Sequence, residues 1–302
     1  MPIASDSTRR ARPLLGTFVE IEVAAAGPEA DAAVDAAFGA VAQVHRLMSF
    51  HERDSDVSCL NREAGVRPTQ VHAWTFEVLE AAVEMHRRSG GVFDVTVAPA
   101  LQAAGLLPGP DSGRAVAPWP RVGDAIELLP ERTVRFRAAD ITIDLGGIAK
   151  GFAVDRAIEA LRGFNVPAGL VNAGGDLRVF GAGPYTVDLR DPREPLRVFA
   201  RVEMAGDALA STARRFDLVE GPCLGASAII NPATGEPAAA IIGATIHAPS
   251  CVTADALTKV AMISGTDAGD LLEHYGASAL LIGVDGDILI TSGWSQAVHL
   301  AA

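Results

Sequence analysis

The sequence predicts an α+β fold with mainly antiparallel sheets and flanking helices, and three observations support this prediction. Short segments of alternating apolar and polar residues follow one another between residues 168 and 246, with turn residues between them, as in antiparallel strands. Longer segments with apolar residues at helical spacing lie before and after this region. The order of strands and helices lacks the regular alternation of a doubly wound parallel sheet, which favours the mixed class.

The N-terminal half is predicted to combine long helices with short strands. Alternation of apolar and polar residues predicts strands at 16–24, 124–129, 132–137 and 140–144. Helical spacing predicts helices at 28–47, which begins with Pro28, and at 73–88. The glycine- and proline-rich segment 105–124 is predicted to be a loop.

The C-terminal half is predicted to be richer in strands. Helices are expected at 147–163, 252–264 and 266–274. Strands are expected at 168–172, 175–180, 184–189, 196–203, 208–212, 226–230 and 240–246. A final hairpin is expected to join 277–283 to 287–292, because Asp285-Gly286 is a favoured turn dipeptide.

Length, charge and cysteine content narrow the class of protein. The 302 residues are interpreted as a flexible tail at 1–12 and a single domain at 13–302. The net charge of −12 argues against nonspecific nucleic-acid binding. Cys59, Cys223 and Cys251 are few and scattered, which favours reduced thiols. The sequence shows no secretory signal and no membrane-spanning segment, so a cytoplasmic protein is expected.

The first candidate site is the segment Asp144–Gly151. A strand leads to Asp144, Gly146 and Gly147 form a tight turn, and a helix follows. Glycines let a ligand approach the backbone, and the amides at the start of a helix bind phosphate. The Lys150 ammonium adds positive charge. A strand-to-helix turn with a capping aspartate explains the same pattern.

A second candidate segment is LVNAGGD, residues 170–176. Here a strand ends at Asn172 and is followed by Gly174 and Gly175. Glycines in this position fit a turn that faces a ligand, and they equally fit an ordinary hairpin or bulge.

The third candidate segment, residues 248–262, carries Asp255 near the start of a helix. Thr258 and Lys259 lie three and four residues later and therefore share a face with Asp255. A carboxylate and a hydroxyl on one face suit a hard cation such as Mg²⁺. The alternative is an aspartate favoured by the helix dipole and paired with Lys259.

Seven segments along the chain occur together in a characteristic order. They are LLGTFVEIEV, MSFHERDSDVSCLN, GGVFDVTVAPAL, IDLGGIAKGFAVD, LVNAGGD, IINPATG and APSCVTADAL. In this order, from about Leu15 to Gly293, they resemble the ApbE family, the FAD:protein FMN transferases. The resemblance implies a T-fold-like architecture with a flavin cleft. It also implies an enzyme that cleaves FAD with Mg²⁺ and transfers FMN to a threonine of an acceptor flavoprotein.

The resemblance also implies roles for individual residues. Met48 is expected at the adenine end of the nucleotide, and Asp144 and Lys150 are expected to contact the nucleotide. Further implied contacts are His51, where the family often has Tyr, and Gly105, Leu106, Leu107, Gly146, Asn172, Gly174, Gly175 and Ile229. The Gly147 carbonyl and the Asp255 carboxylate are the implied metal ligands, with Asp255 as the catalytic residue.

The sequence departs from the family pattern near these metal ligands. The family commonly has His and Asp where this chain has Ala228 and Asn231, and the histidine is associated with transfer. The family's metal-binding Thr corresponds to Lys259, whose ammonium group cannot ligate a metal. Thr258 is the substitute ligand that the sequence offers. The alternative function is therefore a flavin-binding carrier, sensor or partner with weak or no transferase activity.

Overall fold

The computed structural model describes residues 7–109, 124–183, 185–194, 196–214, 227–294 and 298–300. The strands in these ranges are β1 (Thr8–Leu14), β2 (Thr17–Val23), β3 (Thr69–Gln70), β4 (Ile126–Leu129), β5 (Thr133–Phe136), β6 (Ala168–Ala173), β7 (Asp176–Gly181), β8 (Tyr185–Arg190), β9 (Val198–Met204), β10 (Ala208–Ala213), β11 (Ile241–Ala248), β12 (Ser278–Gly283), β13 (Ile288–Ile290) and β14 (Val298–Leu300). The α-helices are α1 (Pro28–Met48), α2 (Asp56–Glu63), α3 (Ala73–Arg88), α4 (Ala98–Ala103), α5 (Ala149–Arg162), α6 (Cys251–Ser264) and α7 (Gly269–His274).

The strands form one large sheet and two small ones. The large sheet has eight strands in the order β1-β2-β6-β7-β10-β11-β12-β13, and its strand pairs are antiparallel. The small sheets have the orders β14-β9-β8 and β3-β5-β4 and are also antiparallel. The predicted α+β class with mainly antiparallel sheets is confirmed.

The large sheet separates two apolar clusters. One face packs against α1, α5 and α6, and the other face packs against β8, β9 and β14. In strand β10, successive side chains lie on opposite faces of the sheet and so belong to different clusters. Ala208 and Ala210 belong to the helix-side cluster, whereas Leu209 between them belongs to the other cluster. Small alanine side chains on the helix side allow α6 to approach the sheet closely.

Helices α5 and α6 are also in close contact with each other, and Gly151 makes this possible. A Cβ added at Gly151 would overlap the carbonyl of Cys251 and would come within 2.7 Å of Asp255 Cβ. Asp155 on α5 accepts hydrogen bonds from the backbone N–H groups of Cys251 and Val252, at 3.0 and 2.9 Å. The first turn of α6 is therefore fixed against α5, and this contact positions the residues of the site.

The predicted tail is wrong from residue 8 onward, because Thr8–Leu14 is the edge strand β1. Its side chains are largely exposed and include three arginines, so the apolar alternation typical of a strand is weak. Ion pairs of Arg9 with Glu20 and of Arg10 with Asp31 hold the strand against β2 and α1. Residues 1–6 lie outside the described ranges.

The predicted strand at 140–144 is also wrong. The side-chain amide of Asn61 donates to the Ile143 carbonyl at 2.9 Å, and its oxygen accepts from the Ile143 N–H at 2.8 Å. Asp144 N–H donates to the Val95 carbonyl at 2.8 Å. A side chain and a loop thus satisfy the backbone here, and sheet pairing is not required.

Other predictions have mixed outcomes. The predicted helices at 28–47, 73–88, 147–163 and 252–264 and the last hairpin are confirmed within a few residues. Helices α2 and α4 were not predicted, and residues 227–230 hold only an isolated bridge from Ile230 to Pro237. Most of the predicted loop 105–124 lies outside the described residues. None of the described helices combines the length and apolar character needed to cross a bilayer.

Candidate functional site

A cleft of about 330 Å³ brings together several of the predicted site residues. This volume is in the range of small-molecule sites. Seven predicted nucleotide or metal contacts line it: Leu106, Leu107, Asp144, Gly146, Gly147, Lys150 and Ile229. Ala228 and Lys259, the two positions that depart from the family pattern, line the same cleft. The cleft is therefore the candidate active site.

One wall of the cleft is the turn that precedes α5. Asp144 Oδ2 accepts a hydrogen bond from the Gly146 N–H at 3.0 Å, which closes a tight turn. Burial raises the pKa of the Asp144 carboxyl, although the Gly146 N–H, His51 and Lys259 act in the opposite direction. Helix α5 begins just beyond the turn, so the positive end of its dipole is directed to the side of the cleft that Lys150 lines.

The second candidate segment forms the hairpin turn between β6 and β7. The Gly175 N–H donates to Asn172 Oδ1 at 2.9 Å, and Gly174 and Gly175 have φ values of +67° and +102°. Such backbone angles favour glycine. The turn does not line the cleft itself, but it leads directly to Asp176, the first residue of β7. Asp176 is completely buried and was not selected from the sequence as a site residue.

The two lysines of the lining belong to a cluster of four charged residues, which we call the lysine–aspartate cluster: Lys150, Asp176, Asp255 and Lys259. Lys150 Nζ bonds to Asp176 Oδ2 and lies 3.7 Å from Asp255 Oδ1. Lys259 Nζ bonds to the same Oδ1 of Asp255 and donates to the Asp255 carbonyl at 3.0 Å. Both aspartates are fully buried, whereas the Lys150 and Lys259 side chains are 31% and 12% exposed.

The cluster shifts the protonation equilibria of its members. Burial raises the pKa of Asp176, and the charge of Asp255 raises it further, against the opposing effect of Lys150. For Asp255, burial acts in the same upward direction, but Lys150 and Lys259 together hold its pKa below the ordinary value. Burial would lower the pKa of Lys150, but the two carboxylates raise it above its usual range. The two neighbouring ammonium groups therefore favour the ionised form of Asp255.

The predicted metal ligands do not fit a divalent cation. Thr258 Oγ1 donates to the Asp255 carbonyl at 2.7 Å and lies 2.7 Å from Thr212 Oγ1, so it is directed into the protein. A Cβ added at Gly147 would lie 3.6 Å from Lys259 Cε, so the lysine stem packs beside this residue. In the part of the chain that the structure describes, no group of three or more His, Cys, Asp or Glu side chains is arranged to hold a metal.

The remaining predicted residues lie away from the lining of the cleft. Met48 is buried in the apolar core at the end of α1, and Gly105 follows α4 with a φ of +72°. His51 is exposed but close enough to Asp144 to affect its pKa. Asn231 stabilises a turn by accepting from the Ala233 N–H at 2.9 Å.

The lysine content of the sequence is a signal that points to this cluster. The chain contains only two lysines, Lys150 and Lys259, whereas all its other basic side chains apart from histidine are arginines. Both lysines line the same cleft. Lysine presents a compact charge on a flexible stem, whereas arginine presents a planar fork. The two lysines of the chain thus lie in two of the candidate segments and meet at one cleft.

Comparisons with known sequences all point to the same protein family. Residues 15–282 match the family model of the ApbE family. A protein of Treponema pallidum named FAD:protein FMN transferase is 28% identical over an alignment of 317 positions, gaps included, which covers 94% of this chain and 86% of that protein. A protein of Vibrio cholerae with the same name is 28% identical, in an alignment that covers 75% of this chain and 72% of that protein.

Solved structures share the fold. The crystal structure of the ApbE protein of Thermotoga maritima superposes with a TM-score of 0.84 at 24% identity, covering 97% of this chain and 99% of that one. The flavin transferase ApbE of Vibrio cholerae gives a TM-score of 0.81 at 23% identity, with coverage of 96% and 99%. The α+β architecture that the resemblance implies is thus shared with these proteins.

Proposed function

Because the chain belongs to the ApbE family, we propose that it is a flavin transferase that binds FAD in the cleft and transfers FMN to a threonine of an acceptor protein. The observation that carries this proposal is the pair of ammonium groups, Lys150 and Lys259, lining the cleft beside the glycine turn. A pyrophosphate is the part of FAD that two adjacent cations and the start of a helix would bind.

The proposed reaction needs stabilisation of negative charge. The threonine hydroxyl oxygen attacks the phosphorus of the FMN half, and a new oxygen–phosphorus bond forms as the hydroxyl proton is released. The bond between that phosphorus and the bridging oxygen breaks, and AMP leaves with its electron pair. Charge builds up on the departing phosphate, where preorganised cations lower the barrier. Lys150 and Lys259 are the described cations of the cleft that suit this role.

Asp255 has a different role in this proposal from the one predicted from the sequence. It is fully buried and bonds to Lys259, with Lys150 at 3.7 Å. We therefore assign it as a positioning residue that holds both ammonium groups toward the substrate. No step is assigned to Mg²⁺, because the oxygen atoms of Asp255 and Thr258 that were expected to bind the metal have other partners.

The apolar part of the cleft suits the rings of the nucleotide. Leu106, Leu107 and Ile229 supply apolar surface on the lining, and Asp144 supplies a polar group beside them. The other nucleotide contacts stay predictions that follow from family membership. They are Met48, His51, Gly105, Gly146, Asn172, Gly174 and Gly175.

A second candidate function is favoured by Ala228. This residue lines the cleft at the position where the resemblance implies a histidine associated with transfer. A methyl group can neither donate nor accept a proton, so a function of that histidine would be missing. The second candidate is a protein that binds the flavin nucleotide and does not transfer FMN.

An assay with FAD, Mg²⁺ and a threonine-containing acceptor protein separates the two candidates. Release of AMP together with a flavinylated acceptor, detected by chromatography and mass spectrometry, is the expected result. Omission of the acceptor is the control for hydrolysis of FAD. FAD binding without either product would instead support the second candidate, and gain of transfer in Ala228→His would locate the cause. A protein that does not bind FAD would contradict both candidates.

A further inference from the structure

The oxygen atoms of Asp255 have partners that a metal would have to displace. Oδ1 bonds to Lys259 Nζ, and Lys150 Nζ lies 3.7 Å away. Oδ2 accepts from the Gly151 N–H at 2.9 Å, and the main-chain oxygen accepts from Lys259 Nζ and from Thr258 Oγ1. Mg²⁺ needs oxygen ligands at about 2.0–2.1 Å in octahedral geometry. An ammonium group on the same carboxylate oxygen prevents that approach by its volume and its charge.

Charge balance leads to the same conclusion. The lysine–aspartate cluster contains two ammonium groups and two carboxyl groups, so the four residues can balance their own charge. Adding a divalent ion beside Lys150 and Lys259 would leave an excess of positive charge in a largely buried place, which is costly. A cation is present at this position already, and the protein itself provides it.

The position of Lys259 is fixed by its own helix. Its Nζ reaches back four residues along α6 to bond both the side chain and the carbonyl of Asp255. The side chain is only 12% exposed, and Gly147 packs against its stem. The ammonium is therefore held in place before any ligand arrives, as a resident cation would be.

We propose that the Lys259 ammonium replaces the divalent metal of this site, so that the chain binds the pyrophosphate of FAD without Mg²⁺. This inference rests on the proposed function, since it assumes that a flavin nucleotide occupies the cleft. Lys259 donates a hydrogen bond to one phosphate and remains attached to Asp255, and Lys150 donates to the other. Binding is then insensitive to chelators, in contrast to a site completed by a free metal ion.

The first test measures FAD binding by calorimetry in excess EDTA and in millimolar Mg²⁺. The dissociation constants are expected to agree within about twofold. Binding that requires Mg²⁺ would overturn the inference while leaving the proposed function intact. Absence of binding under both conditions would instead remove the proposed function. The two failures are therefore distinguishable.

The second test uses the two lysines as spectroscopic reporters and does not depend on activity. Protein grown with ¹³Cε-lysine gives one NMR signal each for Lys150 and Lys259, since the chain has no other lysine. Mn²⁺, a paramagnetic substitute for Mg²⁺, is added to the protein without FAD. Both signals are expected to stay sharp at stoichiometric Mn²⁺. Selective broadening of the Lys259 signal would show a metal beside it and would overturn the inference.

A pair of variants completes the design. Lys259→Thr supplies a hydroxyl where the ammonium was, and it is expected to make FAD binding at least about tenfold tighter in Mg²⁺ than in EDTA. In this variant the Lys150 signal is expected to broaden with Mn²⁺. Lys259→Met is the matched control, since it removes the charge without offering an oxygen, and it should bind FAD weakly in both buffers. A Lys259→Thr protein that gains no metal response would overturn the assignment to Lys259.

Discussion

Lys150 and Lys259 differ in how they are held, although both line one cleft and both pair with a buried aspartate. Lys150 on α5 bonds to Asp176 on β7 and keeps a side chain that is 31% exposed. Lys259 bonds to Asp255 within α6 and is 12% exposed. The first lysine depends on tertiary structure and can still move toward a ligand. The second is held in place by local helical geometry.

This difference identifies Asp255 as the residue on which the cluster depends most. It contacts both lysines and the Gly151 N–H, whereas Asp176 bonds to Lys150 alone among them. Asp176 Oδ1 also has no hydrogen-bond partner among the described residues. The two carboxylates therefore contribute unequally, and substitutions can measure the inequality.

The largest effect is expected for Asp255→Ala. This change leaves two ammonium groups in a poorly hydrated place without their shared partner, and removing one side of a buried pair costs about 3–5 kcal/mol. Urea unfolding followed by circular dichroism measures the loss. The double variant Asp255→Ala/Lys259→Met is the control, and it should recover part of the stability because the stranded charge is gone. A double variant as unstable as the single one would refute this electrostatic explanation.

The next effect concerns the approach of α6 to α5, which sets the distance between the two lysines. In Gly151→Ala, the new methyl group would overlap the Cys251 carbonyl, so the helices must separate at a cost of about 1–3 kcal/mol. Gly147→Ala is the matched control, since its Cβ would meet only ordinary contacts at 3.6 Å and beyond. Thermal unfolding should show a clear loss for the first variant and a change within about 0.5 kcal/mol for the second. Equal losses would contradict the proposed close helix contact.

A third prediction concerns the more exposed lysine. Lys150→Met should weaken FAD binding by about tenfold or more, because a charged hydrogen bond to the phosphate is lost. Arg156→Met is a suitable control for charge alone, since this arginine pairs with Glu77 and Glu159 and does not line the cleft. Calorimetry should show nearly unchanged affinity for the control. An equal loss in both variants would mean that overall charge, and not the position of Lys150, determines binding.

The sequence predicted the local features of this protein better than its long-range contacts. The hairpin at Asp285-Gly286 and the helices with regular apolar spacing follow from neighbouring residues, and the structure confirms them. The pairing of Asp255 with Lys259 was one of two alternatives, and its i, i+4 spacing made it accessible. The bond from Lys150 to Asp176 joins α5 to β7, and nothing in either local sequence indicates it.

The errors have similar physical causes. Strand β1 is not predicted because its exposed, arginine-rich sequence lacks the apolar alternation of a strand. Its pairing with β2 is what makes this segment a strand. The strand expected to precede Asp144 is absent because Asn61, distant in sequence, satisfies the Ile143 backbone. The local sequence does not mark Asp176 as a site residue, because its complete burial depends on the packing of the whole sheet. The structural role of a residue whose partners are distant in sequence can be identified only from the structure.

The smallest effect is expected for Asp176→Asn. Burial already opposes the ionised form of this carboxyl, as its raised pKa indicates. Removing the charge therefore also removes the cost of burying it, and this gain offsets part of the lost ion pair. Its partner Lys150 is partly exposed and can be rehydrated, which limits the cost to about 1 kcal/mol. Urea unfolding beside Asp255→Ala measures the contrast. Similar losses for the two variants would mean that both lysines depend on their aspartates to the same degree, and that Lys259 is no more firmly held than Lys150.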